Sequence, residues 1–589
     1  MAKISFRGNC SLWSRLGKSV DRSHSQREWS GFRRVVTALL WTLAIAAAAL
    51  AQDHPPENAP PPGSISGTVT DAGTGAPMGE VEVSLNRSSR GSMSVKTDAQ
   101  GHYSIRGVDP GNYRVTAQAP APTGRGFGAY ATRQIVLRAA QDLGNIDFHL
   151  ASYASVTGKV VDQNREPVTG ITVFLVAREY SSGVLRSFFV SGGSTDDRGQ
   201  YIVQRATPGR AYYLVAMRLD RNLEAISNAP LDPKLRRPAV IPTFYPNGAK
   251  MADGQAIVLG PGEHREGADI QLVRTPSYCV EAVLEGASGP SDLRFEIREG
   301  QPTSGQSGDG GFFIAEPGGN AGADGKVRIC NLHPGQYELS ATEFGSEPRS
   351  PASLFGSMAL NIVDEDLKGL RLVAHPRIAI PGEVVWDGPA PVDPPSVKLN
   401  ISVQPITHSG EAATFNGADA QLPGDFTMPG LLVDDYSMRI NRVPTGMYVK
   451  DIVYGGHSVL NQVMRPGSAT TNDPKMRVVI ARDGGTVAAR VADKDGNPSG
   501  DTPVVVIPAS ADSEAMLAAT MINGRTDQYG AYTSSTVPPG KYYVLAPEAV
   551  VDKSPECVDR LWRARTSAAE VEVPPNGSGA ATLTPKRIE

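Results

Sequence analysis

Thr97-Asp98-Ala99-Gln100-Gly101-His102-Tyr103, followed after six residues by Pro110-Gly111-Asn112-Tyr113, is the stretch that decides the fold of this 589-residue chain. Asp opens a tight turn and Gly supplies the positive φ that the turn needs, so a strand begins at the following residues. Pro-Gly makes a second turn, and a Tyr near the next strand start can bond back across the connecting loop. The stretch therefore predicts two strands and two turns of an all-β module.

The same pattern recurs four more times along the chain, at intervals of roughly 100 to 125 residues, which is the spacing of whole domains rather than of solenoid repeats. The copies are Gly199, Tyr201, Pro208, Gly209 and Tyr213; Gly325, Val327, Pro334, Gly335 and Tyr337; Gly424, Phe426 and Tyr436, with Val433-Asp434 in place of Pro-Gly; and Gly530, Tyr532, Pro539, Gly540 and Tyr542. An Asp three residues before the Gly accompanies the first, second and fifth copies, whereas Asp324 adjoins Gly325 in the third. We interpret these copies as five modules.

Short runs of alternating apolar residues, separated by Gly, Pro, Asn and Asp, predict about seven short strands per module and hence small antiparallel β-sandwiches. We place the sandwiches at residues 64–151, 152–275, 276–375, 376–481 and 482–589. Paired runs near the module ends, such as 135–137 with 146–150 and 571–573 with 581–583, predict closing hairpins. No segment predicts a convincing amphipathic helix, although 513–520 and 555–565 favour one or two helical turns.

The N-terminus predicts export. Residues 1–34 carry eight Lys or Arg against two acids, and an uncharged apolar stretch covers 35–50. We interpret residues 1–51 as a signal peptide, helical in its apolar part and cleaved after Ala51, with an uncleaved membrane anchor as the alternative. Residues 52–63 form a Pro-rich linker. The sandwiches are therefore expected in the periplasm, at the cell surface or in the medium, with no membrane insertion beyond the N-terminal segment.

Charge and cysteine content narrow the function further. The formal net charge is −4, and no concentrated basic run is present, so nucleic-acid binding is not expected. Cys279 and Cys330 both lie in strand-like runs of the third module, and an exported protein can keep such a pair oxidised. We predict a disulfide between them, with buried, inert thiols as the alternative.

A Gly-containing first strand, an Asp-x-x-Gly-x-Tyr turn and a Pro-Gly-x-Tyr turn resemble the carboxypeptidase regulatory-like domain. That family is similar to transthyretin-like and starch-binding-like β-sandwiches, and immunoglobulin-like packing of two sheets is the fold that it implies. Modules one, two and five match the pattern well, and modules three and four match it in part. These motifs specify turns and cores, so they predict fold better than function.

Catalysis is not expected. His408 and Glu411 form a His-x-x-Glu, but the nearest downstream His, His457, is too close in sequence for a zinc carboxypeptidase, and the large catalytic domain has no room. We expect no catalytic residues, no metal site and no cofactor.

Recognition of carbohydrate is the function that the starch-binding-like resemblance implies. Sugars stack on exposed aromatic faces, and the candidate aromatic residues are Trp386, Phe244, Tyr245 and Trp562, with Phe188 and Phe189 as further off-pattern aromatics. The main alternative is a structural or adhesive array that contacts cell-envelope proteins, and a less favoured one is an accessory role in a peptidase system. The sequence leaves the ligand and the oligomeric state open.

Overall fold

The computed structural model describes residues 60–87, 90–120, 129–218, 232–236, 238–286, 293–299, 314–343, 353–392, 396–406, 416–432, 434–466 and 475–588. The predicted signal peptide at 1–51, most of the linker at 52–63, and His408 with Glu411 lie outside these residues. Pro62–Glu589 form one compact unit.

Module one consists of two facing sheets. Its strands are β1 Gly63–Asp71, β2 Glu82–Arg87, β3 Arg90–Lys96, β4 His102–Val108, β5 Gly111–Gln118, β6 Tyr130–Leu137, β7 Asp142–Leu143 and β8 Phe148–Leu150. The smaller sheet has the order β4-β1-β7, with β8 also on β1, and the larger has the order β3-β2-β5-β6. Alternate residues of both sheets, such as Ile65, Leu85 and Val115, are fully buried between them. All-β sandwiches are therefore confirmed as the fold class.

Module two repeats this plan, but the hairpin that follows its opening strand is longer. Its strands are β9 Ala154–Val161, β10 Thr172–Ser181, β11 Val184–Ser194, β12 Gln200–Ala206, β13 Ala211–Met217, β14 Ala239–Val240, β15 Thr243–Phe244, β16 Ile257–Val258, β17 His264–Arg265, β18 Ile270–Gln271 and β19 Arg274–Thr275. Its sheets run β12-β9-β17, with β18 on β9, and β11-β10-β13-β15, with β16 on β13, and β14 pairs with β19. Short 3-10 turns cover Pro233–Leu235 and Met251–Asp253.

Modules three and four keep the two sheets despite their altered motifs. Module three contains β20 Tyr278–Glu285, β21 Leu293–Glu299, β22 Ile314–Asn320, β23 Lys326–Leu332, β24 Gly335–Glu343, β25 Leu354–Ile362, β26 Leu367–Val373 and β27 His375–Pro376. Module four contains β28 Ile378–Trp386, β29 Val397–Pro405, β30 Asn416–Leu422, β31 Gly424–Leu431, β32 Tyr436–Asn441, β33 Tyr448–Tyr454, β34 His457–Ser458 and β35 Met476–Ala481. The orders are β23-β20-β26 and β22-β21-β24-β25-β27, then β31-β28-β35-β33-β34 and β30-β29-β32.

Module five adds two helices to its sandwich. It contains β36 Thr486–Val491, β37 Pro503–Pro508, β38 Ile522–Arg525, β39 Ala531–Thr533, β40 Gly540–Leu545, β41 Ala569–Val573, β42 Ser578–Leu583, α1 Glu514–Thr520, α2 Pro555–Ala564 and a 3-10 turn at Arg565–Ser567. The sheets run β39-β36-β42 and β38-β37-β40-β41. Ser554 caps α2, which buries Cys557, Val558 and Leu561 on one face. This helix is amphipathic, which the sequence analysis did not predict.

The paired runs at the module ends are not hairpins, so that prediction was wrong. In module one β6 pairs with β5, whereas β8 pairs in parallel with β1 in the other sheet. In module five β41 pairs with β40, and β42 pairs in parallel with β36. Alternation of apolar residues predicts that one face of a strand is buried, but it does not predict which strand is the partner. The sequence pattern therefore did not predict that these two strands lie in different sheets.

The repeated Asp-Gly motif forms the same turn in the modules where it is complete. Asp98 Oδ1 accepts the backbone N–H groups of Gln100 and His102 at 2.9 and 2.8 Å, and Gly101 has a φ of +77°. Asp196 and Asp527 hold equivalent turns with Gly199 at +69° and Gly530 at +70°. Each turn leads directly into the strand that contains the next aromatic residue.

That aromatic residue crosses the opening strand at a glycine. The Tyr103 hydroxyl donates to the Ile146 carbonyl at 2.7 Å, and a Cβ on Gly67 would lie 2.3 Å from the same oxygen. In module two, Tyr201 donates to the Ala268 carbonyl at 2.5 Å, and a Cβ on Gly158 would lie 2.2 Å from that oxygen. The Gly in the first strand is therefore required because the closing segment passes directly over it.

The Tyr after the second turn bonds back to the loop before it in all five modules. Tyr113, Tyr337 and Tyr542 donate to the carbonyls of Asp109, His333 and Pro538 at 2.7, 3.0 and 2.6 Å, and Tyr436 accepts from the Leu432 N–H at 2.8 Å. In module two this residue is Tyr212, which donates to the Thr207 carbonyl at 3.1 Å. The assignment of that position to Tyr213 was wrong because the loop of module two has only one extra residue between its Pro-Gly and this Tyr, which places Tyr212 at the corner.

Candidate functional site

The aromatic residues predicted to stack on sugars do not form a common platform. Trp386 and Phe244 are each 6% exposed, Trp386 in the core of module four and Phe244 beside Val176 and Met251 in module two. Tyr245 packs, partly buried, against the core of module two. Trp562 is partly buried in module five, with the Arg565 guanidinium 3.0 Å from its ring centroid. Rings held this way offer little free face, and sugar stacking on them stays a prediction.

Cys279 and Cys330 are bonded to each other in the structure, with an S–S distance of 2.02 Å, between β20 and β23 of module three. The two cysteines are 0% and 1% exposed. The Cys279 N–H donates to Asp366 Oδ1 at 2.9 Å, and Asp366 in turn binds Arg236 of module two. The disulfide therefore stands next to a junction between modules rather than in an open site.

Further contacts join modules that are distant in sequence. Gln528 of module five exchanges two hydrogen bonds with the backbone of Val136 in module one, at 2.7 and 3.2 Å. The Tyr529 hydroxyl accepts from Gln141 at 2.8 Å, and Arg133 lies 3.3 Å from Asp501. The first and last modules are thus in contact, and clefts form where modules meet.

One such cleft lies between modules four and five and has a volume of about 530 Å³. We call it the four–five cleft. It is lined by Val443, Pro444, Thr445, Met447, Tyr448, Val449, Thr486, Ser534, Ser535 and Thr536. Ligand pockets typically have volumes of about 300 to 1,000 Å³ and often lie between domains. Size and position therefore make it the candidate functional site.

Backbone contacts fix the floor of the cleft. The Gly446 N–H donates to Thr536 Oγ1 at 2.9 Å, and the Gly484 N–H donates to the Gly446 carbonyl at 3.2 Å. A Cβ on Gly484 would lie 2.4 Å from Cγ2 of Thr536 and 3.1 Å from the Tyr448 ring. Because glycine alone fits here, the two modules approach closely enough to form the cleft.

The lining is rich in hydroxyl groups and carries no charged side chain. Ser534 Oγ is occupied by the Val487 N–H at 2.9 Å and by the Ser535 carbonyl at 2.7 Å. The hydroxyls of Thr445 and Ser535, in contrast, make no hydrogen bond to another described residue. Burial raises the pKa of Tyr448 to about 12, and the neighbouring Asp483 carboxylate adds to the increase. Tyr448 therefore stays protonated at neutral pH and donates its phenolic hydrogen to the Asp483 carboxylate.

This arrangement suits a neutral, polyhydroxylated ligand. Hydroxyl groups can donate to and accept from the hydroxyls of such a ligand, while Val443, Pro444 and Met447 supply apolar surface. Sequence reasoning missed the site because its residues come from two modules and each is unremarkable alone. The run Ser534-Ser535-Thr536, which breaks the apolar alternation after β39, is the one signal that could have drawn attention to it.

Among the residues that the structure describes, no three His, Cys, Asp or Glu side chains are grouped as metal ligands would be. None of the helices described is long and apolar enough to cross a membrane.

Comparisons with solved structures give weak similarities. The Bacillus anthracis TIE protein is 9% identical, with 74% of each chain covered and a TM-score of 0.14. A Streptococcal ancillary pilin is 12% identical over 54% of this chain and 100% of its own, with a TM-score of 0.18. The shaft pilin SpaA from Lactobacillus rhamnosus GG is 11% identical over 36% of this chain and 98% of its own, with a TM-score of 0.17. TM-scores this low carry no functional argument.

Sequence comparison identifies one module. No curated protein matches the chain. The family model of the carboxypeptidase regulatory-like domain matches residues 64–151, the residues that form the two sheets from β1 to β8. The match covers the Asp-Gly turn at Asp98, the crossing Tyr103 and the corner Tyr113. Residues 64–151 are therefore similar to the carboxypeptidase regulatory-like domain.

Proposed function

We propose that this protein is a non-catalytic, exported recognition protein that binds a neutral carbohydrate in the four–five cleft. The observation that carries the proposal is the lining of that cleft, which combines hydroxyl groups, one protonated tyrosine and apolar side chains without any charge. Sugars present both hydroxyl groups and apolar C–H faces, so the hydroxyl groups of the lining can bind the former and its apolar side chains can pack against the latter.

The structure supports a specific division of roles within the cleft. The ring of Tyr448 supplies a flat apolar surface, while its phenolic hydrogen is donated to the Asp483 carboxylate. Thr445 and Ser535 carry the hydroxyls that have no partner among the described residues, and these are the groups a ligand engages. Thr536 and Ser534 hold the modules and the backbone in place.

A glycan microarray tests the proposal with purified protein that lacks residues 1–51. We expect saturable binding to one class of neutral glycan, weakened by at least about tenfold in Tyr448→Ala because the aromatic stacking surface is lost. Tyr130→Ala is the matched control, since Tyr130 is 65% exposed on module one, far from the cleft in sequence. Binding that survives Tyr448→Ala unchanged, or the absence of any glycan ligand, contradicts the proposal.

A second candidate function is the array that contacts cell-envelope proteins. Phe188 and Phe189 favour it, because each is 39% exposed on β11, the outermost strand of its sheet. Edge strands and exposed aromatic residues are common features of protein-binding surfaces. However, Phe188 lies under the Arg210 guanidinium at 5.0 Å, and Phe189 packs on Phe174 at 4.5 Å. Capture of an envelope protein that is lost in Phe188→Ser, with no glycan binding, would favour this function.

A further inference from the structure

A second cavity, with a volume of about 240 Å³, lies where modules two, four and five meet. We call it the three-module cavity. It is lined by Ser182, Ser437, Met438, Arg439, Asn461, Gln462, Ala519 and Lys553. Ser182 comes from the β10–β11 turn of module two, residues 437–439 come from β32 of module four, and Ala519 and Lys553 come from module five. The lining is strongly polar, and its two charged residues are both cations.

The walls of the cavity are held together by short contacts. The Tyr180 N–H of β10 donates to the Lys553 carbonyl at 2.8 Å. A Cβ on Gly183 would lie 3.2 Å from the Ala515 carbonyl and 3.4 Å from Cβ of Ala519, so the β10–β11 turn packs directly on α1. Lys553 is therefore fixed against module two while its side chain faces the cavity shared with Arg439.

Within the part of the chain that the structure describes, neither Lys553 nor Arg439 has a carboxylate oxygen within 4.0 Å. The nearby acids have other partners: Glu179 forms an ion pair with Arg210 at 3.1 Å, and the Asp552 carboxylate accepts a hydrogen bond from the Ser554 N–H at 3.0 Å. Burial lowers the pKa of Lys553, and repulsion by Arg439 lowers it further, only partly offset by Glu179.

Lys553, which is half-buried, and Arg439, which is exposed, carry like charges at one cavity and therefore repel each other. An anion would reverse the sign of this interaction, since both cations would then face an opposite charge. The side chains of Asn461, Gln462 and Ser182 add hydrogen-bond donors suited to oxyanions. Because one water occupies about 30 Å³, the cavity has room for a small oxyanion and several waters.

We propose that the three-module cavity binds a small oxyanion, such as a phosphate group, between Arg439 of module four and Lys553 of module five. The bound anion stabilises the junction of modules two, four and five. This site is separate from the four–five cleft, and its test does not depend on carbohydrate binding there.

Thermal unfolding in inorganic phosphate, at constant ionic strength set with sodium chloride, tests the proposal. Wild-type protein is expected to show a midpoint temperature that rises and saturates with phosphate. Lys553→Gln and Arg439→Gln are expected to weaken the apparent affinity by at least about tenfold each, because each removes one charge-assisted contact. Lys159→Gln is the matched control, since Lys159 is an exposed cation of module two whose side chain has no ion pair among the described residues.

A second readout separates loss of binding from loss of folding. Without phosphate, Lys553→Gln is expected to unfold at the same or a higher temperature than wild type, because the substitution removes like-charge repulsion. A saturable phosphate effect that is equal in wild type and both variants, or no saturable effect in wild type, overturns the proposal. A parallel titration with glucose 6-phosphate identifies the source of the anion, since tighter binding than phosphate indicates an acidic sugar and equal binding indicates the free ion.

Discussion

Replacing Arg236 by Met tests the junction between modules two and three. The Arg236 guanidinium binds both carboxylate oxygens of Asp366, at 2.6 and 2.9 Å, and the two side chains are only 1% and 8% exposed. Removing one partner of a buried ion pair typically costs about 3 to 5 kcal/mol, because the other charge remains buried without compensation. Asp366 keeps the Cys279 N–H at 2.9 Å, so we expect the lower end, about 3 kcal/mol.

The assay is amide hydrogen exchange at Cys279, whose N–H donates to the stranded carboxylate. A loss of about 3 kcal/mol corresponds to roughly 150-fold faster exchange through local opening. The control is Arg371→Met. Arg371 forms an equally bidentate ion pair with Glu285 in module three, the module that contains Asp366, but its side chain is 71% exposed. We expect little change there, since water already screens that pair.

Acid titration gives an independent check of the same pair. The hydrogen bonds from Arg236, followed by the N–H of Cys279, hold the pKa of Asp366 below its usual 3.8, against the effect of burial. A depressed folded pKa means that the pair stabilises fully above pH 3.8 and that this contribution is lost as the pH falls below it. Arg236→Met should therefore weaken this acid dependence. Exchange at Cys279 less than about fivefold faster in Arg236→Met, which corresponds to about 1 kcal/mol, would refute the burial argument.

Three further predictions concern the repeated motifs and the disulfide. Tyr337→Phe removes the hydrogen bond to the His333 carbonyl at 3.0 Å in a side chain that is 1% exposed, so urea unfolding should show a loss of about 1 to 2 kcal/mol. Gly101→Ala should destabilise more than Gly107→Ala in the same assay, because both have a φ above +70° but only at Gly101 would the Cβ meet a carbonyl, at 2.5 Å; equal losses would mean that backbone strain alone matters. Cys330→Ala should lower stability by up to about 4 kcal/mol in non-reducing urea titrations, as chain-entropy estimates give for a bridge spanning 51 residues, and reductant should remove the difference from wild type.

The repeated residues could be predicted as structural from the sequence because each has a local physical reason. Asp98 and Gly101 form a turn within five residues, and Tyr113 bonds to a carbonyl four residues earlier. Such local interactions leave a pattern in the sequence. The parallel pairing of a late strand of each module with its first strand joins residues about 80 to 110 positions apart, and the sequence carries no comparable signal for it.

The candidate site could not be predicted, for a related reason. Tyr448 and Ser535 come from different modules and meet only because Gly484 and Gly446 bring two backbones together. Trp386 and Phe244 were attractive because large aromatic residues are rare in this chain, but the same apolar area that suits a sugar also stabilises a core. A sugar-binding aromatic side chain is exposed to solvent and a core aromatic side chain is buried. The sequence does not predict which of these holds for a single aromatic residue in a short strand.

Hydrogen exchange with and without a bound glycan most directly tests whether the four–five cleft is the recognition site. With a neutral glycan identified on the microarray, we predict slower exchange in residues 443–449 and 534–536, and unchanged exchange around Phe244 and Trp562. Protection confined to other segments, or no protection at saturating glycan, would contradict the assignment of carbohydrate recognition to this cleft.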